Sequence, residues 1–173
     1  MCHYCGCREM PLLRDFIAEH ERSINYGGEA VRALDRGEQD RAGELLAAMG
    51  EELRSHWRGE ENGFFAVMGS DDLFAEHIAV LVREHRELEA LLESIDLTDS
   101  GDRDRLREAV FDLREHIAKE EDGLFPASLP TLDGAQWDAA MAAWRQAHPG
   151  ANMIGTAEPY PRGPGARVRR PRR

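Results

Sequence analysis

Two histidine–glutamate pairs recur at the same spacing: His56 with Glu60 in LRSHWRGEENGFF from Leu53, and His116 with Glu120 in LREHIAKEEDGLF from Leu113. Upstream of each, in an amphipathic stretch, stands a Glu-His pair, EHERSI from Glu19 and EHRELE from Glu84. The repeat unit is one histidine followed, after a long interval, by His-x3-Glu. Two units supply four imidazoles and two carboxylates. Residues four apart on a helix share a face, one turn apart, so each imidazole can bind one metal ion while its carboxylate reaches the space between two. With His20 and His85 completing the set, each ion receives two neutral nitrogens. Two bridging glutamates offset part of the charge, and water, hydroxide, oxide or substrate supplies the rest. Any one of these histidines alone would more often be a satisfied core residue. All six on helix seams would cost on the order of several kcal/mol to bury uncompensated, so something must compensate them.

The nitrogen and oxygen donors suit iron, manganese, zinc or cobalt, and affinity order does not choose among these. Six protein ligands on two six-coordinate ions leave positions for dioxygen, peroxide or nitric oxide, which a closed structural site does not. Glu61 and Glu121 follow the candidate ligands by one residue and rotate about 100° away, so they are expected either in solvent or behind an imidazole. His77 lands on the flank of its helix beside Glu84, at the boundary of the site, with direct ligation the lesser alternative. His148, beside Pro149, is expected on the surface. Cys2, Cys5 and Cys7 crowd the first seven residues with His3, giving either an incidental tail, a redox thiol set near the metals, or a further metal site. Because Cys7 is only thirteen residues ahead of His20, this segment can fold over the bundle end towards the site.

Helices must position these residues, and apolar spacings of three and four predict four long ones with no strand-like alternation. The first runs from Pro11 to about Arg36, with Leu13, Phe16, Ile17, His20, Ile24, Val31 and Leu34 inward, Gly27 and Gly28 as a possible break, and Gly37 as its stop. A second spans about Glu38 to Met68, closed by Gly69. The third, about Asp72 to Ile95 with Ser70 or Asp71 as cap, has the heptad Phe74, Ile78, Leu81, His85, Leu88, Leu92, Ile95. Near Ser100 or Asp102 a fourth begins, and Pro126 is expected to halt it. A shorter fifth, about Gly134 to Ala147, carries Trp137, Met141 and Trp144 on one face and should pack across one end.

Short connections force neighbouring helices antiparallel, so the fold class is all-α: an up-down-up-down four-helix bundle with a short fifth helix and a disordered basic C-terminal tail. The expected organisation is a Cys-rich segment 1–10, the bundle 11–127, the short helix 128–150 and the tail 151–173. At 1.5 Å rise per residue, the six candidate ligands from four antiparallel helices fall in one layer about 10 Å thick.

With 173 residues and 42% apolar content, the chain is long enough for one domain with a real core. Apolar runs are too short for a membrane span, and MCHYCGCREM lacks the order of a secretory signal, so a cytoplasmic protein is expected. The formal net charge is −11, although residues 159–173 hold six arginines and no acid. The remainder is therefore more acidic still, which disfavours nucleic acid and anionic membrane as partners.

From His20 through His56, Glu60, His85, His116 and Glu120 to Leu124-Phe125-Pro126, the chain resembles the hemerythrin-like (HHE cation-binding) family over roughly residues 11–127. That resemblance implies a cofactor of two non-haem iron ions bridged by carboxylates. It does not imply reversible oxygen carriage, because the carriers have a further histidine on the third helix and an aspartate after the last glutamate. Here Leu81 and Glu89 flank His85, and residue 121 is Glu. One ion is then more open, unless Glu89 substitutes as a ligand. The expected function is turnover of hydrogen peroxide or dioxygen in detoxification or an oxidative step, with a reductant still to be identified. The alternatives are a non-enzymatic sensor or binding module for oxygen, nitric oxide or iron, and simple iron handling.

Overall fold

Four helical rods connected by residues 36–38, 69–71 and 95–99 lie side by side, and a fifth helix packs against the second. The structure is a computed structural model that describes residues 6–154. After a 3-10 turn (Cys7–Glu9), the first rod is α1 (Pro11–Asp35). The second is α2 (Gln39–Gly59), which runs through a π-turn (Glu60–Phe64) into α3 (Phe65–Met68). The third is α4 (Asp72–Ser94), and the fourth is α5 (Ser100–Lys119), a second π-turn (Glu120–Leu124) and α6 (Phe125–Thr131). The short helix is α7 (Gly134–Ala147). No strand occurs among the described residues, and none of their helices is long and apolar enough to cross a membrane.

Local signals set the ends. Pro11 opens α1, and Gly37 at φ 77° closes it: Gly37 N donates to Leu34 O and Glu38 N to Ala33 O, a pairing that requires the left-handed residue. Asp71, Asp99 and Asp133 each accept a backbone N–H at the starts of α4, α5 and α7, the last in a reciprocal capping box with Gln136.

Three expectations are corrected. Helix α1 passes unbroken through Gly27 and Gly28, and its fully buried stripe turns to Ser23, Gly27 and Ala30, leaving Ile24 and Val31 partly buried. The small residues let α1 lie close to its neighbours: a Cβ at Gly27 would meet Val110 Cγ2 at 3.0 Å and Met49 Sδ at 3.2 Å. Pro126 does not halt the fourth rod, which continues to Thr131. A proline costs a helix the bond to residue i−4, but here a π-turn has already shifted the register before the ring arrives. Beyond α7 the chain stays attached as far as described, with Met153 buried and Ile154 N donating to Asp15. The rest of the basic tail lies outside the described residues.

Two apolar clusters fill the interior. One gathers Leu13, Phe16, Phe64, Leu81, Phe125 and Trp144 near the start of α1; the other gathers Ala30, Met49, Leu53, Leu106, Val110 and Leu113 towards its end. Between them in the chain's order, on every rod, falls a buried polar layer: His20, His56, Glu60, His85, His116 and Glu120.

Candidate metal centre

The four imidazoles meet in two pairs. Nε2 of His20 lies 3.0 Å from Nε2 of His56, and Nε2 of His85 lies 3.0 Å from Nε2 of His116. Two nitrogens about 2.1 Å from one ion at a right angle are about 3.0 Å apart, so each pair has the separation that a shared cation imposes. Glu120 stands between the pairs, its oxygens 3.1 Å from His20 Nε2 and 3.0 Å from His116 Nε2. Glu60 mirrors it, with one oxygen 3.2 Å from His56 Nε2 and 3.7 Å from His85 Nε2. Both carboxylates are fully buried, and none of their four oxygens meets hydrogen-bond geometry despite these ion-pair distances. Such orphaned buried acceptors call for a cation. The donor atoms form two groups, His20, His56, Glu60, Glu120 and His85, His116, Glu120, each within 4.8 Å.

Each imidazole is aimed by a carboxylate on its far nitrogen. His20 Nδ1 donates to Glu121 at 3.0 Å, His56 Nδ1 to Glu19 at 2.7 Å, His85 Nδ1 to Glu61 at 3.0 Å and His116 Nδ1 to Glu84 at 2.8 Å. An ionised carboxylate only accepts, so Nδ1 carries the hydrogen and the Nε2 lone pair faces the layer. The contacts close a ring: the first rod orients the second, the second the third, the third the fourth, and the fourth the first. Residues 61 and 121 thus stand behind imidazoles instead of in solvent.

The π-turns begin at Glu60 and Glu120. An extra residue in the turn lets Glu60 face the layer while Glu61, one position on, faces the next rod.

Electrostatics follow from this crowding. Burial works against protonating His56, yet Glu60 and Glu19 hold its pKa well above the ordinary value. The same contest, with Glu120 and Glu84, pushes His116 up to about 9. Burial opposes ionisation of Glu120, and the surrounding imidazoles hold its carboxyl well below the usual range. Positive charge at the layer is what the site favours, whether protons or metal supply it.

The sequence model of the hemerythrin HHE cation-binding domain matches residues 12–128. The chain belongs to this family. No curated protein and no solved structure gives a match.

Within this hemerythrin-like bundle the halves differ in how the ring is held. Three outer carboxylates meet cations: Glu121 meets Arg8 at 2.5 Å, Glu61 meets Arg86 and Glu84 meets Lys119. Arg8 thereby ties the turn Cys7–Glu9 to the fourth rod beside the site. Glu19 instead receives the indole N–H of Trp144 at 2.8 Å and has His148 Nε2 at 3.3 Å. His148 is therefore not a surface residue: its ring stacks on Trp144, and Nδ1 donates to the Trp144 carbonyl. Gly63 permits this: a Cβ there would strike Ala143 Cβ at 2.8 Å and Ala140 O at 2.9 Å, whereas one at Gly59 would only reach ordinary contact with Trp144 Cδ1 at 3.4 Å. In the second repeat Lys119 replaces Gly59 and itself reaches the equivalent carboxylate.

Other candidates stay out of the donor groups. His77 is half-buried on α4, and Glu89 pairs with Arg86 at 3.5 Å on the outer side. Cys7, for which a redox or metal role was one alternative beside an incidental tail, lies in an apolar cluster at 1% exposure, where a thiol is shielded from reaction. Cys2 and Cys5 lie outside the described residues. Glu19, Glu84 and Arg8 had no assigned role in the sequence and Trp144 only a packing one; the one signal was that a glutamate precedes the first histidine of both repeats.

Proposed function

We propose that the protein binds two iron ions at this layer and turns over hydrogen peroxide or dioxygen. The orphaned, fully buried oxygens of Glu60 and Glu120 between two converging imidazole pairs carry this reading. His20 with His56 would hold one ion, His85 with His116 the other, and the two glutamates would bridge. When bound, the ions supply the redox chemistry. The chain's part is to orient and to exclude: the ring of outer carboxylates fixes the imidazoles, and Phe125 on His20 and Phe65 on His85, stacked at 6.0 and 5.7 Å, keep bulk water away. A cavity of about 410 Å³ between α4 and α5 touches His85 and His116, so a small oxidant could reach an ion held by that pair. Leu81, buried one turn before His85, offers no donor on that side.

The contact from Trp144 to Glu19 favours a second reading, a non-enzymatic sensor of oxygen, nitric oxide or iron in which α7 responds to the state of the site. The two are separated by catalysis. Steady peroxide consumption by iron-loaded protein, lost in His56→Ala, is expected for the first; tight ligand binding without turnover overturns it and supports the second. The loading metal, the reductant and the cytoplasmic setting belong to the same proposal.

A further inference from the structure

The two halves of the bundle repeat the same site but not the same packing. Adding 65 to a residue of α1, or 60 to one of α2, gives its counterpart in α4 or α5. Helices α1 and α2 pack closely, with Gly27 against Met49 and the small buried residues Ser23 and Ala30 one turn to either side of it on α1. The counterparts are Leu88, Leu92 and Ile95, which pack against the apolar cluster around Leu106 and Val110, and Ala109 in place of the methionine. Helices α4 and α5 approach less closely than α1 and α2, and the space between them is lined by Leu88 and Ala109. The result is the cavity of about 410 Å³ with His85 and His116 at its floor and solvent at its mouth.

Its mouth is acidic. Glu87, Glu108, Asp112 and Glu115 line it and are exposed. The two basic residues of the lining are already paired, Arg105 with Asp102 at 2.9 Å and Lys119 with Glu84. Beyond the imidazoles stand the fully buried oxygens of Glu60 and Glu120, which no hydrogen bond satisfies. His20 and His56 do not line this cleft, and α7 covers Glu19 behind His56.

We infer that the α4–α5 cleft is the route by which a divalent cation reaches the site, drawn by its carboxylates and arriving first at His85 and His116. A cleft lined by charge of one sign focuses the field and raises the local concentration of the opposite ion. This rests on the metal-binding reading above, and it adds the direction of loading and the residues that control its rate.

The test is uptake of Co²⁺ by metal-stripped protein, followed by stopped-flow absorbance, which needs no catalytic activity. The variant Glu108→Gln/Asp112→Asn/Glu115→Gln is compared with Glu44→Gln/Glu51→Gln/Asp138→Asn, which removes three exposed acids outside the cleft. The cleft variant is expected to load roughly three- to tenfold more slowly at low salt, with the gap closing as salt is raised and the final stoichiometry unchanged. The control should load at the wild-type rate. Ala109→Met, which copies the first half's filling residue, should slow uptake at every salt concentration. Far-ultraviolet circular dichroism checks each fold, and if one variant fails to fold the other decides. Wild-type rates in the folded cleft variants overturn the route while leaving the metal reading intact. Wild-type protein that takes up no Co²⁺ overturns that reading, and the route falls with it.

Discussion

Trp144 donates its indole N–H to Glu19 across 2.8 Å, and the other oxygen of that carboxylate lies 2.7 Å from Nδ1 of His56. Helix α7 therefore grips the first imidazole pair through one buried glutamate. Trp144→Phe keeps an aromatic ring and removes the donor. It should destabilise the protein by about 1–3 kcal/mol and weaken metal binding by roughly tenfold or more. Denaturant unfolding and a competition titration check both. Wild-type values in each would show that the contact orients nothing.

The two repeats predict opposite responses to one added methyl group. Gly63→Ala meets Ala143 and the Ala140 carbonyl below 3.0 Å, so α7 must shift, at a cost of about 1–3 kcal/mol. Gly123→Ala, its counterpart, meets nothing within 4 Å and should be neutral or stabilising by up to about 1 kcal/mol. Thermal unfolding of both proteins checks the pair. Equal shifts would contradict the docking of α7 on the first π-turn.

In metal-free protein the outer ring should set the acid limit of stability. Burial opposes ionisation of Glu84, but Lys119 and His116 outweigh it and hold its carboxyl below the ordinary 4.5. A depressed folded pKa contributes stability that is present above the unfolded value and lost as pH falls through the folded one. Glu84→Gln should therefore flatten the fall in the urea midpoint between about pH 5 and 3. On the alkaline side His116, raised to about 9, contributes stability that is fully present below 6.5 and lost as pH rises through about 9. Curves for Glu84→Gln and wild type that run parallel in acid would contradict the assignment.

The bundle was legible because its signals are local and periodic: apolar spacing marked the rods, Pro11 and Gly37 the limits of α1, and Gly134 to Ala147 the whole of α7. The six-residue layer was legible for the same reason, since helix rise converts spacing into height. What stayed hidden depends on contacts between rods. Nothing in the spacing says that Glu19 reaches His56 or that Glu121 reaches His20. The π-turns escaped because one extra residue hardly disturbs an apolar period, and with them the passage of Pro126. His148 looked like a surface residue beside a proline. Its burial follows from Trp144 one turn earlier, which itself depends on the close approach of α7 that Gly63 allows.

Metal content per chain tests the central claim most directly, measured with the near-ultraviolet and visible spectrum of the 173-residue chain after anaerobic loading with ferrous iron and exposure to air. Two irons per chain with a charge-transfer absorption are expected, and both His56→Ala and His116→Ala should fall below two. A chain that holds no iron, or retains two in both variants, would contradict a dinuclear centre at this layer.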